Sequence, residues 1–219
     1  MDIFKAIDER HSVRQYLIKP IEVDTLIKLT AQIDKINADS GLNIQLITND
    51  EKSFSGFLSR YGKFSNVNNY VALVGKKQSK LNEKLGYYGE QIVLSAQMLG
   101  LNTCWVALSY KKNKSRVKVN KDEKFVAVIA IGYGKNQGFK RKSKSITQVS
   151  NANDNSPEWF VNGVKCALKA PTAINQQQFY FELKNNDVSA KRKSGFYTLL
   201  DLGIVKYHFE IGSGKKIFI

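Results

Sequence analysis

An α+β fold with a mixed central β-sheet flanked by helices is what the sequence predicts, on three observations. Short apolar runs of strand length interleave with amphipathic helical stretches in both halves of the chain. The run "FVAVIAIGY" (125–133) is continuous enough to be a strand central in a sheet. Residues 80–99 place apolar side chains at helical spacing and stop at Gly100. The 219 residues read as a single domain spanning 1–219, with a polar connector at about 134–156.

In chain order, Asp2 is placed to cap a short helix that turns Ile3, Phe4 and Ile7 inward. "RHSVRQYL" follows as extended chain. After Pro20 a long helix carries Val23, Leu26, Ile27, Leu29, Ile33 and Ile36 at three-four spacing and ends at Ser40-Gly41. "LNIQLIT" (42–48) alternates as a half-buried strand, and "YVALVG" (70–75) reads as a more buried one. The 80–99 helix offers Leu81, Leu85, Tyr88, Ile92, Leu94, Ala96 and Leu99, and "TCWVAL" (103–108) leaves it extended. Ser156-Pro157-Glu158 supplies cap, first-turn proline and first-turn acid for a helix that must stop before Pro171. "QFYFEL" (178–183) is a strand. The stretch 195–212 is mostly helix, with Leu200, Ile204, Tyr207 and Ile211 on one stripe.

With 42% hydrophobic and 24% charged residues, the composition is that of a soluble globular protein. The strongly apolar run at 125–131 is far too short to span a membrane, and "MDIFKAIDER" shows no signal peptide, so a cytoplasmic protein fits. Cys104 and Cys166 read as small buried apolar residues. The formal charge is +15, but 28 lysines against 6 arginines, spread along the chain, read as solvated surface rather than a nucleic-acid face. Such a potential still attracts anionic ligands, phosphates included. A Rossmann fingerprint, a P-loop and a nucleophile elbow are absent. His11 and His208, without an acid cluster, suggest no metal site; His208 reads as a partly buried structural histidine.

Four stretches carry candidate chemistry. In extended "RHSVR" (10–14), alternation points Arg10, Ser12 and Arg14 to one side and His11 to the other. This is either a phosphate cradle or a surface strand with two solvated arginines. "KRKSKS" (140–145) is by itself a flexible lysine loop, and "GLNTCWVAL" (100–108) by itself ordinary core. In "APTAINQQQF" (170–179), Pro171 ends a helix, Thr172 turns the chain, and Asn175 and Gln177 offer amide edges.

Together these stretches resemble one family, the FMN-dependent nitroreductases. "RHSVRQY", "YYGEQIVLSAQMLGLNTCWVA", "FVAVIAIGY" and "KSK" resemble, in order, its arginine-serine start, long central helix with strand entry, glycine-ended strand and terminal basic pair. "APTAINQQQFYF" resembles its "APSxxNxQPWxF" segment, with Phe179 for the tryptophan and Gln178 for the second proline. The likeness covers roughly residues 2 to 183 and is greatest to the TM-nitroreductase branch. In better-known members that last segment follows the first long helix. Here it is relocated to the C-terminal part, so Thr172, Asn175 and Gln177 face the flavin of their own chain, that of a partner, or none.

The resemblance implies a nitroreductase-like domain binding FMN. Arg10, Ser12 and Arg14 would hold the phosphate, joined by Lys142 and Lys144, with His11 also counted among the cofactor-binding residues. Pro171, Thr172, Asn175 and Gln177 would meet the polar edge of the ring. Val106, Ala107 and Leu108 would lie against it, and Lys63 would approach its pyrimidine side. It further implies a homodimer and a ping-pong reaction: NADH or NADPH gives a hydride to flavin N5, then a nitroaromatic, quinone or free flavin accepts it. The protein supplies position and electrostatics, so no catalytic side chain is expected. Two other readings are a flavin-binding member without nicotinamide turnover and a basic nucleic-acid-binding protein.

Overall fold

The computed structural model describes residues 1–50, 54, 62–108, 116–139 and 141–217. They divide into two compact units, Met1–Leu81 with Ile92–Lys140, and Asn82–Gln91 with Arg141–Ile219. The later break falls inside the polar connector. Among the described residues no helix is long and apolar enough to cross a membrane.

The first unit is built on a four-stranded sheet of β1 (Gln45–Ile47), β2 (Tyr70–Lys76), β3 (Asn102–Val106) and β4 (Glu123–Gly132), in the order β1-β2-β4-β3. As expected, β4 is internal, pairing with β2 on one side and β3 on the other. Its ladders are antiparallel; parallel pairing enters through isolated bridges, Ser12 with Thr103 and Gln15 with Ser65. A buried apolar cluster that includes Val13, Tyr16, Tyr70, Val74, Cys104, Val106, Phe125 and Val128 lies in this unit.

Helix α1 (Ile3–Glu9) is capped as predicted, the Lys5 N–H donating to Asp2 Oδ1 at 2.9 Å. Helix α2 (Val23–Ser40) buries Leu29, Ile33, Ile36 and Ser40. Val23 and Ile27, expected inside, are exposed, Ile27 by 61%. At 100° per residue Ile27 lies roughly 160° around the helix from Leu29. The spacing included two residues that the true stripe leaves out. Phe4 of α1 is exposed for the same reason. Helix α3 (Leu81–Met98) ends in a Schellman motif: Gly100, at φ 80°, gives its N–H to Gln97 O, and Leu101 N–H reaches Ala96 O at 2.9 Å.

The second unit contains residues 82–91 of α3, a one-turn helix α4 (Ile146–Val149), α5 (Glu158–Ala167), the hairpin β5 (Phe179–Lys184) and β6 (Asp187–Arg192), and α6 (Thr198–Ser213). Pro157, not Ser156, caps α5; the Ser156 hydroxyl accepts from Asn153 N–H instead. Strand β6 was not visible in the sequence because "DVSAKR" has little apolar content. Asn185 and Asn186, at φ 50° and 67°, make the left-handed turn that returns it along β5. Phe181 stacks on Phe209 at 4.6 Å, with Phe160 and Phe179 edge-on around them.

The α3 residues of this unit meet α6 through glycine. A Cβ on Gly203 would sit 1.8 Å from Glu83 O, and one on Gly86 2.0 Å from Leu200 O. Buried polar pairs flank the crossing: Lys206 Nζ with Glu83 Oε1 at 2.5 Å and His208 Nε2 with Glu90 Oε1 at 2.9 Å. Tyr87 OH donates to Glu210 Oε2 at 2.6 Å. His208, expected to be partly buried, is fully buried because it faces this crossing.

Candidate functional site

Each unit presents one group of the residues singled out above. In the first, residues 10–16 run extended, stitched by Val13 N–H to Thr103 O at 3.0 Å, Ser65 N–H to Arg14 O at 3.0 Å and Tyr16 N–H to Ser65 O at 3.1 Å. Burial pushes the Cys104 thiol up, while the charges of Arg14 and Arg10 and a hydrogen bond from Ser12 oppose that rise. Arg10 is 5% exposed, Ser12 half-buried and Arg14 exposed. Both cysteines are buried, as read, and neither forms a disulfide.

His11 Nδ1 is 2.8 Å from Glu9 O, and its Cβ occupies the space a side chain on Gly138 would need. On β3, Cys104 and Val106 share a face, and the Val106 side chain is buried in the apolar cluster. Ala107 is half-buried and Leu108 68% exposed just beyond the strand. Lys63 is exposed in a left-handed turn at φ 56°.

In the second unit the basic stretch 141–145 runs beside the turn after α5. Arg141 donates to Ala170 O at 2.6 Å, which satisfies a carbonyl at the helix exit. Asn175 Nδ2 donates to Lys142 O at 2.9 Å. Lys144 gives its backbone N–H to Gln177 Oε1 at 2.8 Å and its ammonium to Gln177 O at 2.9 Å. Burial and the neighbouring charge of Lys193 hold that ammonium below its usual pKa. Lys142 is exposed, and Pro171 is buried.

Gln177 is held by bonds within the chain. Buried to 2% exposure, it also donates through Nε2 to Ser143 Oγ and Leu168 O, while its N–H goes to Thr172 Oγ1. Both ends of its amide are occupied inside the chain, so it clamps the turn rather than offering an edge. Asn175 differs. Its buried Oδ1 accepts no hydrogen bond among the described residues, an unmet acceptor that normally costs about 1–3 kcal/mol.

The turn's backbone is strained as well. Ile174, Asn175 and Gln177 hold φ of 46°, 57° and 46°. Left-handed backbone suits asparagine, but a β-branched residue there costs on the order of 1–3 kcal/mol. Ile174 is nonetheless 85% exposed, so burial of its side chain does not offset that cost. Strain of this kind clusters where a backbone holds a ligand.

Two residues central to this turn were missed in the sequence, Gln176 and Asp201. Asp201 accepts from Ala173 N–H at 3.0 Å and from Gln176 Nε2 at 2.9 Å. A signal existed: Asp201 is the single acid in the apolar run "YTLLDLGIV". A carboxylate in such a run is either exposed or bonded to something specific.

Comparison with known proteins adds the family. No curated protein matches the chain. Among solved structures, one described as a "putative nitroreductase" from Thermotoga maritima is 24% identical, covers 97% of this chain and 83% of its own, and superposes with a TM-score of 0.66. An FMN-dependent nitroreductase from Clostridium difficile is 19% identical over 70% of this chain and 99% of its own, with a TM-score of 0.51. A third, from Desulfovibrio desulfuricans and solved in complex with FMN, is 16% identical over 72% and 99%, with a TM-score of 0.54. These likenesses show the nitroreductase fold. The family described as "Putative TM nitroreductase" matches residues 2–213, and the chain belongs to that nitroreductase family.

Proposed function

We propose that the protein is an FMN-dependent oxidoreductase that takes a hydride from NADH or NADPH and passes it to a nitroaromatic, quinone or flavin acceptor in ping-pong fashion. It would work as a cytoplasmic homodimer. The observation that carries the reading is the family match over residues 2–213, beside an extended stretch whose alternation sets Arg10, Ser12 and Arg14 on one side of the first unit's chain. Two guanidiniums and a hydroxyl suit the doubly charged phosphate of FMN, through bidentate, charge-assisted bonds. In the second unit, Asn175 Oδ1 lacks a donor among the described residues, which suits the ring N–H on the polar edge of a flavin, that of this chain or of a partner. The FMN-bound neighbour supports it further.

When bound, FMN supplies the hydride chemistry, and the protein holds and orients it. Arg10 and Arg14 neutralise phosphate charge, and Ser12 adds a neutral donor. Lys142, exposed on the basic stretch of the second unit, and Lys144, which donates to Gln177 O, offer further positive charge. Asn175 fixes the ring edge, and Ala107 and Leu108 give apolar surface at the end of β3.

The test is the visible absorption spectrum of purified protein, with FMN titration if it is colourless, then nicotinamide oxidation with a nitroaromatic present. A protein that takes up no FMN overturns the reading. Bound FMN reducible by dithionite but by neither NADH nor NADPH would mark a flavin-binding member without turnover.

A further inference from the structure

The left-handed conformations of Ile174, Asn175 and Gln177 need a restraint, because such backbone persists only where its surroundings over-determine it. The Gln177 clamp secures one end of the turn. The other end is held from α6. The Asp201 carboxylate, 3% exposed, accepts from Ala173 N–H with both oxygens, at 3.0 and 3.2 Å, and from Gln176 Nε2 at 2.9 Å. Gln176 passes the restraint on, donating to Phe196 O at 2.5 Å and accepting from Phe196 N–H at 3.3 Å. Gly195 closes over it, where a Cβ would come within 2.3 Å of Gln176 Oε1. One carboxylate thus joins α6, the turn and the 193–197 loop. Ile174 and Asn175 lie between the two residues it grips.

We propose that Asp201 is a positioning residue: by holding Ala173 N–H and the Gln176 amide it keeps the turn in the left-handed conformation that leaves Asn175 Oδ1 open to a ligand N–H. The ligand is the flavin ring edge, and in that respect the inference rests on the reading above. Asp201 touches no cofactor; it acts through the two residues flanking Ile174 and Asn175.

Burial pushes the Asp201 carboxyl up to about 6, against the pull of its bonds to Gln176 and Ala173. Once protonated, the carboxyl has one acceptor oxygen fewer for its two donors, so the hold loosens as pH falls. The turn brings no titratable side chain to Asp201. The charged and titratable groups on the elements around it include Lys193 of the 193–197 loop, Arg192, bonded to Thr198 Oγ1 at 3.4 Å, Lys206, paired with Glu83, His208 and Glu210 further along α6, and the exposed Lys165 and Lys169. None of them, nor Tyr197 at the start of α6, contributes to its shift.

The experiment compares full-length wild type with Asp201→Asn by FMN titration, followed by flavin fluorescence from about pH 8 to about pH 5. It adds amide hydrogen exchange across 172–177 in the FMN-free proteins. The variant should bind FMN about tenfold more weakly near pH 8, and its Ala173 amide should exchange about tenfold faster. The ratio of the two dissociation constants should shrink as pH drops through about 6, the value for Asp201. The titration of the FMN phosphate in the same range is common to both proteins and cancels in that ratio. Unchanged affinity and exchange overturn the proposal, and so does a weaker affinity whose ratio is flat with pH, the mark of a merely structural role. If Asp201→Asn does not fold, Gln176→Ala takes its place in the affinity and exchange arms, with the same outcomes deciding. If wild type takes up no FMN, the flavin reading falls, and exchange at Ala173 alone decides whether Asp201 holds the turn.

Discussion

The sheet of the first unit and the helix crossing of the second are both buried, yet they are built from opposite materials. Strands β2 and β4 bury a nearly unbroken series of Val, Ile, Leu and Ala. The crossing of the α3 residues over α6 buries Glu83, Glu90, Lys206 and His208 around Gly86 and Gly203. An apolar core tolerates change in proportion to the volume lost. A crossing set by glycine and closed by charge has no such margin. A Cβ there meets backbone, and a lone buried ion keeps its full desolvation cost.

That contrast can be broken by substitution. The largest effect is expected for Gly203→Ala. Its Cβ would lie 1.8 Å from Glu83 O, so the helices must part. We expect a loss above about 4 kcal/mol, seen by denaturant titration as little or no folded protein. Next comes Lys206→Met, which strands Glu83 and should cost about 3–5 kcal/mol. The double variant Glu83→Leu with Lys206→Met should recover most of that loss. If single and double variants are equally unstable, the pair is not what closes the crossing. Leu73→Ala in β2 removes a fully buried side chain and should cost about 3 kcal/mol, with cooperative unfolding retained.

A smaller effect has the opposite pH sign from carboxylates held ionised by salt bridges. Asp201 is raised from 3.8 to about 6 in the folded protein, so the native state binds more protons than the unfolded chain between those values. Its contribution to stability is present in full below about pH 4 and is lost as pH rises through about 6. Asp201→Asn should flatten that slope in urea titrations at successive pH values. The smallest stability change is expected for exposed Arg14→Ala, within about 0.5 kcal/mol, although FMN affinity should fall about tenfold or more. A fall in stability with no change in FMN affinity would move Arg14 from ligand binding to structure.

How far the sequence could be read follows the same division. Period-2 and period-3.6 patterns located β2, β4, α3, α5 and α6, because apolar burial repeats at those intervals. They over-read α2 at Val23 and Ile27 and missed β6, whose side chains are largely exposed. At the candidate site, alternation assigns Arg10, Ser12 and Arg14 to one side, since an extended chain has only two sides. It was not enough for the turn. Gln177 and Asn175 are both amides two residues apart, yet one is saturated by Ser143, Lys144 and Leu168 and the other keeps an open acceptor.

The order of elements, the central strand, the cap at Asp2, the helix stop at Gly100 and the side of the chain on which the arginines fall were determined by the sequence alone, because each rests on residues within one or two turns of one another. Only the tertiary structure decided that Glu83 meets Lys206 and Glu90 meets His208, that Val106 belongs to the core, and that Asp201 grips a turn 28 residues earlier. Those outcomes depend on which distant groups a fold brings within hydrogen-bond range. No local periodicity encodes that, because a buried polar group is stabilised by its partner and not by its neighbours in the chain.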